Sequence, residues 1–161
     1  MQRLSNWRES LLFFYLAYMK RLFHTGTPEG WMDLAVLVLR ISVAAFMITH
    51  GYPKLERLLA GGEIQFSDPI GLGPAVSLAL AVFAEFFCSI LIAVGLGTRL
   101  ASTPLIATMA VAAFVAHGSD PFSSKEKALL YLLIYMVLLV TGSRKYSMDH
   151  LLFGKRSYRK G

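Results

Sequence analysis

Four long apolar stretches, separated by more polar segments, dominate this chain. They are residues 31–50, 74–96, 99–117 and 128–141. A helix needs about 20 apolar residues to cross the hydrocarbon core of a bilayer, and the first three stretches have that length. The fourth is shorter, but Ser123 followed by Glu126 has the spacing of a capping box, and a helix that begins there has nearly the same length. The pattern therefore predicts an all-α membrane protein, folded as a bundle of four transmembrane helices.

A weaker pattern precedes these stretches, within residues 7–24. Its uninterrupted apolar part covers only residues 11–19, which is too short to cross a bilayer, and no signal-peptide cleavage site is expected after it. Apolar residues recur there at helical spacing, at Trp7, Leu11, Phe14, Tyr18 and Leu22. We predict an amphipathic helix in the membrane interface, with a helix packed against a partner subunit as the alternative.

These patterns predict three parts of the chain. Residues 1–30 form the interfacial segment, residues 31–152 the transmembrane domain and residues 153–161 a basic tail.

Composition supports a membrane environment. Hydrophobic residues make up 55% of the 161 residues and charged residues only 16%, whereas soluble domains carry about 25% charged residues. The net charge of +6 comes mostly from the two ends, and no arginine-rich motif accompanies it, so a nucleic-acid partner is not expected. Cys88 is the only cysteine, which excludes an intramolecular disulfide, a Cys-x-x-Cys redox pair and a thiolate zinc cluster.

The basic residues predict the orientation in the membrane. One side carries Arg3, Arg8, Lys20, Arg21, Arg99, Arg144, Lys145, Lys155, Arg156, Arg159 and Lys160, and the other carries Lys54, Arg57, Lys125 and Lys127. By the positive-inside rule, this asymmetry places both termini in the cytoplasm and the long connection 51–73 outside.

Two charged residues interrupt the apolar stretches, Arg40 in the first and Glu85 in the second. An unpaired charge at mid-membrane costs at least ~2.5–3.5 kcal/mol on insertion scales. With a rise of 1.5 Å per residue, each lies about 16 Å from the outer end of its predicted helix. We therefore predict that they form a buried ion pair, either as part of a functional site or only to hold the two helices in register.

Small residues recur at helical spacing on two of the predicted helices. The second carries Ser77, Ala81, Glu85, Cys88 and Ser89, and the third carries Thr103, Ala107, Ala110, Ala113 and His117. Because small residues let helices approach closely in lipid, we expect both stripes to face the bundle interior.

Further polar side chains lie near the predicted outer ends and on the fourth helix. His50 and His117 end their helices, Lys54 follows one turn later, and Tyr131 and Tyr135 are one turn apart. We predict that these five bind a ligand, with the histidines serving as a proton entry point or as donors to a quinone carbonyl. The alternative is that the histidines cap helix ends and the tyrosines pack or anchor at the interface. No Glu-x-x-His or His-x-x-His spacing accompanies the histidines, so no metal is expected.

Several of these residues together resemble the DoxX family of small four-helix bacterial membrane proteins. The resemblance covers roughly residues 37–152, namely Arg40, the segment His50-Gly51-Tyr52-Pro53-Lys54-Leu55, Glu85, the segment Gly95-Leu96-Gly97-Thr98-Arg99 and His117. It implies a multi-pass protein of the bacterial inner membrane with a link to quinone-dependent electron transfer. No flavin, haem or iron–sulfur motif is evident, so a quinone would be a substrate rather than a resident cofactor.

Three functions remain open at this point. The first is a membrane subunit linked to quinone-dependent oxidoreduction, which leaves open whether it is itself an enzyme. The second is a non-enzymatic accessory or scaffold subunit of a larger membrane complex. The third is a membrane protein that binds a small molecule or lipid. Beyond the bilayer, the expected partners are other membrane subunits or further copies of the chain.

Overall fold

A computed structural model describes residues 14–15 and 28–154, and every regular element in this part of the chain is a helix. The helices are α1 (Glu29–Leu59), α2 (Pro74–Val94), α3 (Thr98–Ala116), α4 (Phe122–Thr141) and α5 (Met148–Phe153). The chain divides into two compact units, Met1–Met32 and Asp33–Gly161. All contacts described below lie within the second unit.

Three of the described helices, α1 to α3, are long and apolar enough to cross a membrane. They also carry large apolar side chains on their outer surfaces, for example Phe46, Phe83 and Phe114, each more than half exposed. Such surfaces suit lipid rather than water. The prediction of an all-α membrane protein is therefore confirmed. Helix α4 has 20 residues, but its first turns carry Lys125, Glu126 and Lys127.

Helix α1 is longer than the first apolar stretch. The prediction ended it at His50, whereas the observed helix continues through Gly51 and Pro53 to Leu59. Proline lacks an N–H donor, but a transmembrane helix tolerates it where neighbouring groups compensate. As a result, His50 lies inside the helix rather than at its end, and Lys54 is a helical residue.

Helices α2 and α3 each contain a π-helical segment, at Phe83–Cys88 in α2 and Ala112–Ala116 in α3. A π turn inserts an extra residue and re-aims the side chains around it, and such segments occur often at functional sites. The one in α2 contains Glu85.

The ends of α4 and α5 differ from the prediction. Helix α4 begins at Phe122 after Pro121 without a side-chain cap, so the capping box predicted from Ser123 and Glu126 is wrong. Helix α5 was not predicted; the hydroxyl of Ser147 caps it by accepting a hydrogen bond from the N–H of His150. Most of the predicted interfacial segment and basic tail lies outside the described residues. The exceptions are Phe14 and Tyr15, which are helical, residues 28–30, of which Glu29 and Gly30 begin α1, and Phe153 and Gly154.

The core lies between α1, α2, α3 and α4 and combines small residues with aliphatic ones. The stripe predicted for α2 is confirmed, since all five of its residues are buried. The stripe predicted for α3 is wrong for Thr103, Ala107 and His117, which are exposed. The buried face of α3 instead includes Ala101, Ser102, Leu105, Met109 and Ala113.

Candidate functional site

Glu85 pairs with a lysine of α1. The Nζ of Lys54 contacts the Oε1 of Glu85 as donor and ion-pair partner, and the carboxylate is buried while the lysine is partly exposed. The Lys54 ammonium also lies 5.9 Å from the ring centre of Phe66, in the loop between α1 and α2. Within the described part of the chain, Oε2 of Glu85 has no hydrogen-bond partner. The pair therefore keeps one buried oxygen for a further donor.

Gly51 makes this pairing geometrically feasible. A Cβ at position 51 would lie 2.7 Å from the carbonyl carbon of Glu85 and 2.8 Å from the N of Phe86. Only glycine permits such backbone-to-backbone contact between α1 and α2. Because Lys54 is three residues beyond Gly51, its side chain lies about one helical turn away, within reach of the Glu85 carboxylate.

A cavity of about 530 Å³ adjoins the pair. Its walls are α2, α3 and residues 66–70 of the loop, and they are almost entirely apolar. Lys54 and Glu85 supply its charged groups. Both π-helical segments border the cavity, the one in α2 through Glu85 and the one in α3 through Ala112 and Ala116. A site of this size and composition suits the apolar body of a small molecule with a few polar atoms.

The loop that walls the cavity is tied to the start of α2 by Asp68. Its carboxylate accepts hydrogen bonds from the N–H of Gly73 (2.8 Å), the N–H of Leu72 (3.0 Å) and the hydroxyl of Ser77 (2.7 Å). The Ser77 hydroxyl, followed by the Gly73 N–H, holds the pKa of Asp68 below its ordinary value. A carboxylate at a helix N-terminus is also favoured by the helix dipole.

The predicted ligand-binding residues separate into two groups. Lys54 and His117 line the cavity together with Glu85. The Nδ1 of His117 lies 2.8 Å from Oδ2 of Asp120, so this histidine has an acidic partner at the exposed end of α3. His50 and the two tyrosines do not line the cavity.

His50 and the tyrosines form a second group on α1 and α4. The ring of His50 meets Tyr131 edge-on at 6.1 Å, and Tyr131 stacks on Tyr135 at 6.2 Å. Tyr135 is fully buried. The two histidines therefore have different neighbours, an aromatic ring for His50 and a carboxylate for His117.

Two further buried hydroxyls belong to the core. Ser89 is one helical turn beyond Glu85 on α2, and Tyr135 lies on α4. Neither hydroxyl meets hydrogen-bond geometry with any described residue, although both are fully buried. Oε2 of Glu85 is a further buried side-chain atom of this kind. Buried polar groups rarely remain unpaired, so a water molecule or a ligand atom is the expected partner.

Arg40 does not pair with Glu85, so this central sequence prediction is wrong. The guanidinium is buried, but it donates to four backbone carbonyls, those of Ile92 (3.0 Å) and Ala93 (3.1 Å) at the end of α2, and of Ser143 (2.6 Å) and Tyr146 (3.0 Å) after α4. Arginine is well suited to this role because it has five N–H donors in a rigid fork. Arg40 therefore joins α1 to two other segments instead of neutralising a carboxylate.

The length of α1 explains why the pair does not form. Gly51, not Arg40, is level with Glu85. Arg40 precedes Gly51 by eleven positions, which corresponds to about 16 Å along the helix. A prediction that ended α1 at His50 placed Arg40 too near the outer surface. Gly51 could have been recognised as a close-contact position, because a small residue within an apolar helix is a known signal for packing.

The described residues contain no group of three or more His, Cys, Asp and Glu side chains arranged to hold a metal ion. Chemically, the cavity can hold an apolar molecule by its walls and one polar atom of that molecule by Lys54 and Glu85. A lysine–carboxylate pair can also give and take protons when the charge of a ligand changes.

Comparisons with known proteins agree with this architecture. A family model described as DoxX matches residues 35–118, which include Arg40, His50, Lys54, Glu85 and His117. The chain is 32% identical over 137 residues to an uncharacterized protein of Haemophilus influenzae, an alignment that covers 79% of this chain and 97% of that protein. No solved structure matches the chain.

Proposed function

Because this chain belongs to the DoxX family of membrane proteins, we propose that it binds a quinone in the cavity beside Lys54 and Glu85 and serves quinone-dependent oxidoreduction. The observation that supports this most is the ion pair between Lys54 and the buried carboxylate of Glu85, at the wall of an otherwise apolar cavity of about 530 Å³. A quinone combines an apolar body with carbonyl oxygens, and this matches both parts of the cavity. The family resemblance adds the link to quinones.

Lys54 and Glu85 would act on the oxygen of the quinone head group. The ammonium donates a hydrogen bond to a carbonyl oxygen, and the pair exchanges protons with it as charge develops. Reduction to the quinol takes up two electrons and two protons, and the electrons would come from a donor carried by a partner subunit. His117 lines the cavity next to Asp120 and would exchange protons with water at its mouth.

The proposal also includes the number of membrane spans and their orientation. Helix α4 is the fourth span, its lysines lie at the interface, and both termini are in the cytoplasm by the positive-inside rule. The protein then resides in the bacterial inner membrane, and the cavity lies in the outer half of the bilayer. The Arg40 cluster lies on the cytoplasmic side.

The test measures binding of a short-chain ubiquinone to the full-length protein in nanodiscs. The variants are Lys54→Met, Glu85→Gln and His117→Ala, and the matched controls are Lys127→Met and Glu126→Gln, whose residues are exposed on α4. A hydrogen bond to a charged group contributes ~1.5–3 kcal/mol, so loss of either partner of the pair should weaken binding about tenfold or more. The controls should bind as the unchanged protein does.

One outcome would contradict this proposal, and another would support the accessory-subunit function instead. Equal quinone binding by Lys54→Met, Glu85→Gln and the controls would contradict a quinone site at this pair. If those variants instead lost a membrane partner during purification in mild detergent, the accessory-subunit function would be supported. The partners expected under either function are other membrane subunits or further copies of the chain.

A further inference from the structure

A second cleft, of about 300 Å³, lies at the opposite end of the bundle from the quinone cavity. One wall is the first turn of α3, from Gly97 to Leu100, and the other is the end of α4 and the residues that follow it, from Thr141 to Arg144. Asp149 holds the walls together, because its Oδ1 accepts from the N–H of Gly97 (2.8 Å) and its Oδ2 accepts from the hydroxyl of Ser143 (2.9 Å). The cleft is therefore a fixed part of the fold.

The polar groups of this cleft favour an anion. Arg99 belongs to one wall of the cleft and Arg144 to the other. Each guanidinium has five N–H donors and uses one within the described part of the chain. Arg99 donates to the carbonyl of Val140 (3.1 Å), and Arg144 forms an ion pair with Oδ1 of Asp33 (2.6 Å). The first turn of α3 adds the backbone N–H groups of residues 98–100 and the positive end of the helix dipole. The N–H of Gly97 already donates to Asp149. Asp149 contributes one negative charge to the cleft, and both its oxygens accept hydrogen bonds from the protein.

Thr98 gives independent evidence that a ligand binds here. It is fully buried, it lines the cleft, and its hydroxyl has no hydrogen-bond partner among the residues the structure describes. An unpaired buried hydroxyl costs ~1–3 kcal/mol. A ligand oxygen in the cleft would supply the missing partner.

We propose that this cleft binds a phosphate group, held by Arg99, Arg144, the Thr98 hydroxyl and the first turn of α3. The guanidinium fork matches the tetrahedral oxygens of phosphate, and a helix N-terminus is a common phosphate site. The group can belong to an anionic phospholipid of the surrounding leaflet or to free phosphate. The site is independent of the quinone cavity, because no residue lines both.

The lipid arm of the test measures which lipid stays bound to the full-length protein in neutral detergent, by native mass spectrometry. Phosphatidylglycerol is compared with phosphatidylcholine of the same acyl chains. We expect preferential retention of phosphatidylglycerol, reduced about tenfold by Arg99→Gln and also reduced by Thr98→Val, which removes the hydroxyl at nearly constant shape. Arg57→Gln is the matched control, since Arg57 also donates to one backbone carbonyl but lies at the other end of the bundle.

The second arm measures the thermal unfolding of the same proteins with inorganic phosphate against chloride at equal ionic strength. Stabilisation by phosphate that is lost in Thr98→Val and Arg99→Gln, with no preference between the two lipids, would identify free phosphate as the ligand. Preference for phosphatidylglycerol would identify the lipid head group. If neither probe distinguishes the unchanged protein from Thr98→Val, a variant that keeps the fold, the proposal is wrong.

Discussion

Gly51 of α1 contacts the backbone of Glu85 in α2, and a Cβ there would lie 2.7 Å from the Glu85 carbonyl carbon. The close approach of the two helices sets the height at which Lys54 meets Glu85. The cavity beside the pair therefore depends on a residue that contributes no side chain to it. Since the neighbouring atoms are backbone, they cannot move aside as a flexible side chain would.

Gly51→Ala should therefore destabilise the fold by about 1–3 kcal/mol, as overpacking does. The measurement is thermal or denaturant unfolding of the protein in detergent micelles. Gly30→Ala is the matched control, because Gly30 is also in α1 but a Cβ added to it would meet no atom of the described residues within 4 Å. Equal stability of the two variants would show that the helices are not in close contact at Gly51.

Removal of Lys54 should cost more stability than removal of the Glu85 charge. Lys54→Met leaves a buried carboxylate without its counter-ion, and breaking a buried pair costs up to about 3–5 kcal/mol. Glu85→Gln leaves an ammonium whose side chain is 28% exposed and can reach water. In a double-mutant cycle, Lys54→Met combined with Glu85→Gln should be more stable than Lys54→Met alone. A double variant that is less stable would contradict a buried ion pair.

Arg40 should act on stability independently of Glu85. Arg40→Lys replaces four hydrogen bonds by at most three, because an ammonium has three N–H donors, and each lost bond to a charged donor costs about 1.5–3 kcal/mol. Arg57→Lys serves as the control. In a cycle with Glu85→Gln, the coupling energy should stay within ~0.5 kcal/mol, as it does for distant residues. A larger coupling energy would show that Arg40 and Glu85 interact directly, which would contradict the separate roles described here.

The two charged residues show what sequence reasoning could and could not determine. The burial of Arg40 and Glu85 was predictable, because hydropathy is a local property and a charge within an apolar span must face the interior. Their partners were not predictable, since these depend on the helix continuing past Pro53 and on the relative depth of α1 and α2. Backbone carbonyls, the partners of Arg40, leave no signal in the sequence. Lys54 was identified as a ligand-binding candidate, but its charge was assigned no partner.

Acid should release the loop that forms one wall of the cavity beside Lys54 and Glu85. The pKa of Asp68 is lowered in the folded protein by the Ser77 hydroxyl and then by the Gly73 N–H. A lowered carboxyl pKa contributes stability that is fully present above the unfolded value, about 3.9, and is lost as the pH falls through the folded value. We expect limited proteolysis at residues 60–73 to increase below about pH 4, with an acid-active protease.

Asp68→Asn provides the matched comparison for this pH effect. It keeps one acceptor oxygen but removes the charge that is titrated. The rate at which the loop is cleaved should therefore be higher at neutral pH than in the unchanged protein, and it should increase less with acid. Ser77→Ala should shift the onset to higher pH, because the largest cause of the lowered pKa is removed. Parallel pH profiles for Asp68→Asn and the unchanged protein would show that another group controls the loop.

The Tyr135 hydroxyl should contribute to function rather than to stability. It is fully buried and without a hydrogen-bond partner among the described residues, so Tyr135→Phe keeps the stacking on Tyr131 and should leave the unfolding temperature unchanged or raise it. Tyr135→Ala removes the ring and should cost about 3–5 kcal/mol, as for other large core aromatics. If the hydroxyl passes protons to Glu85, Tyr135→Phe should slow proton uptake during quinone reduction in membranes while quinone affinity stays the same. A destabilised Tyr135→Phe with unchanged proton uptake would instead make this hydroxyl a structural contact within the bundle.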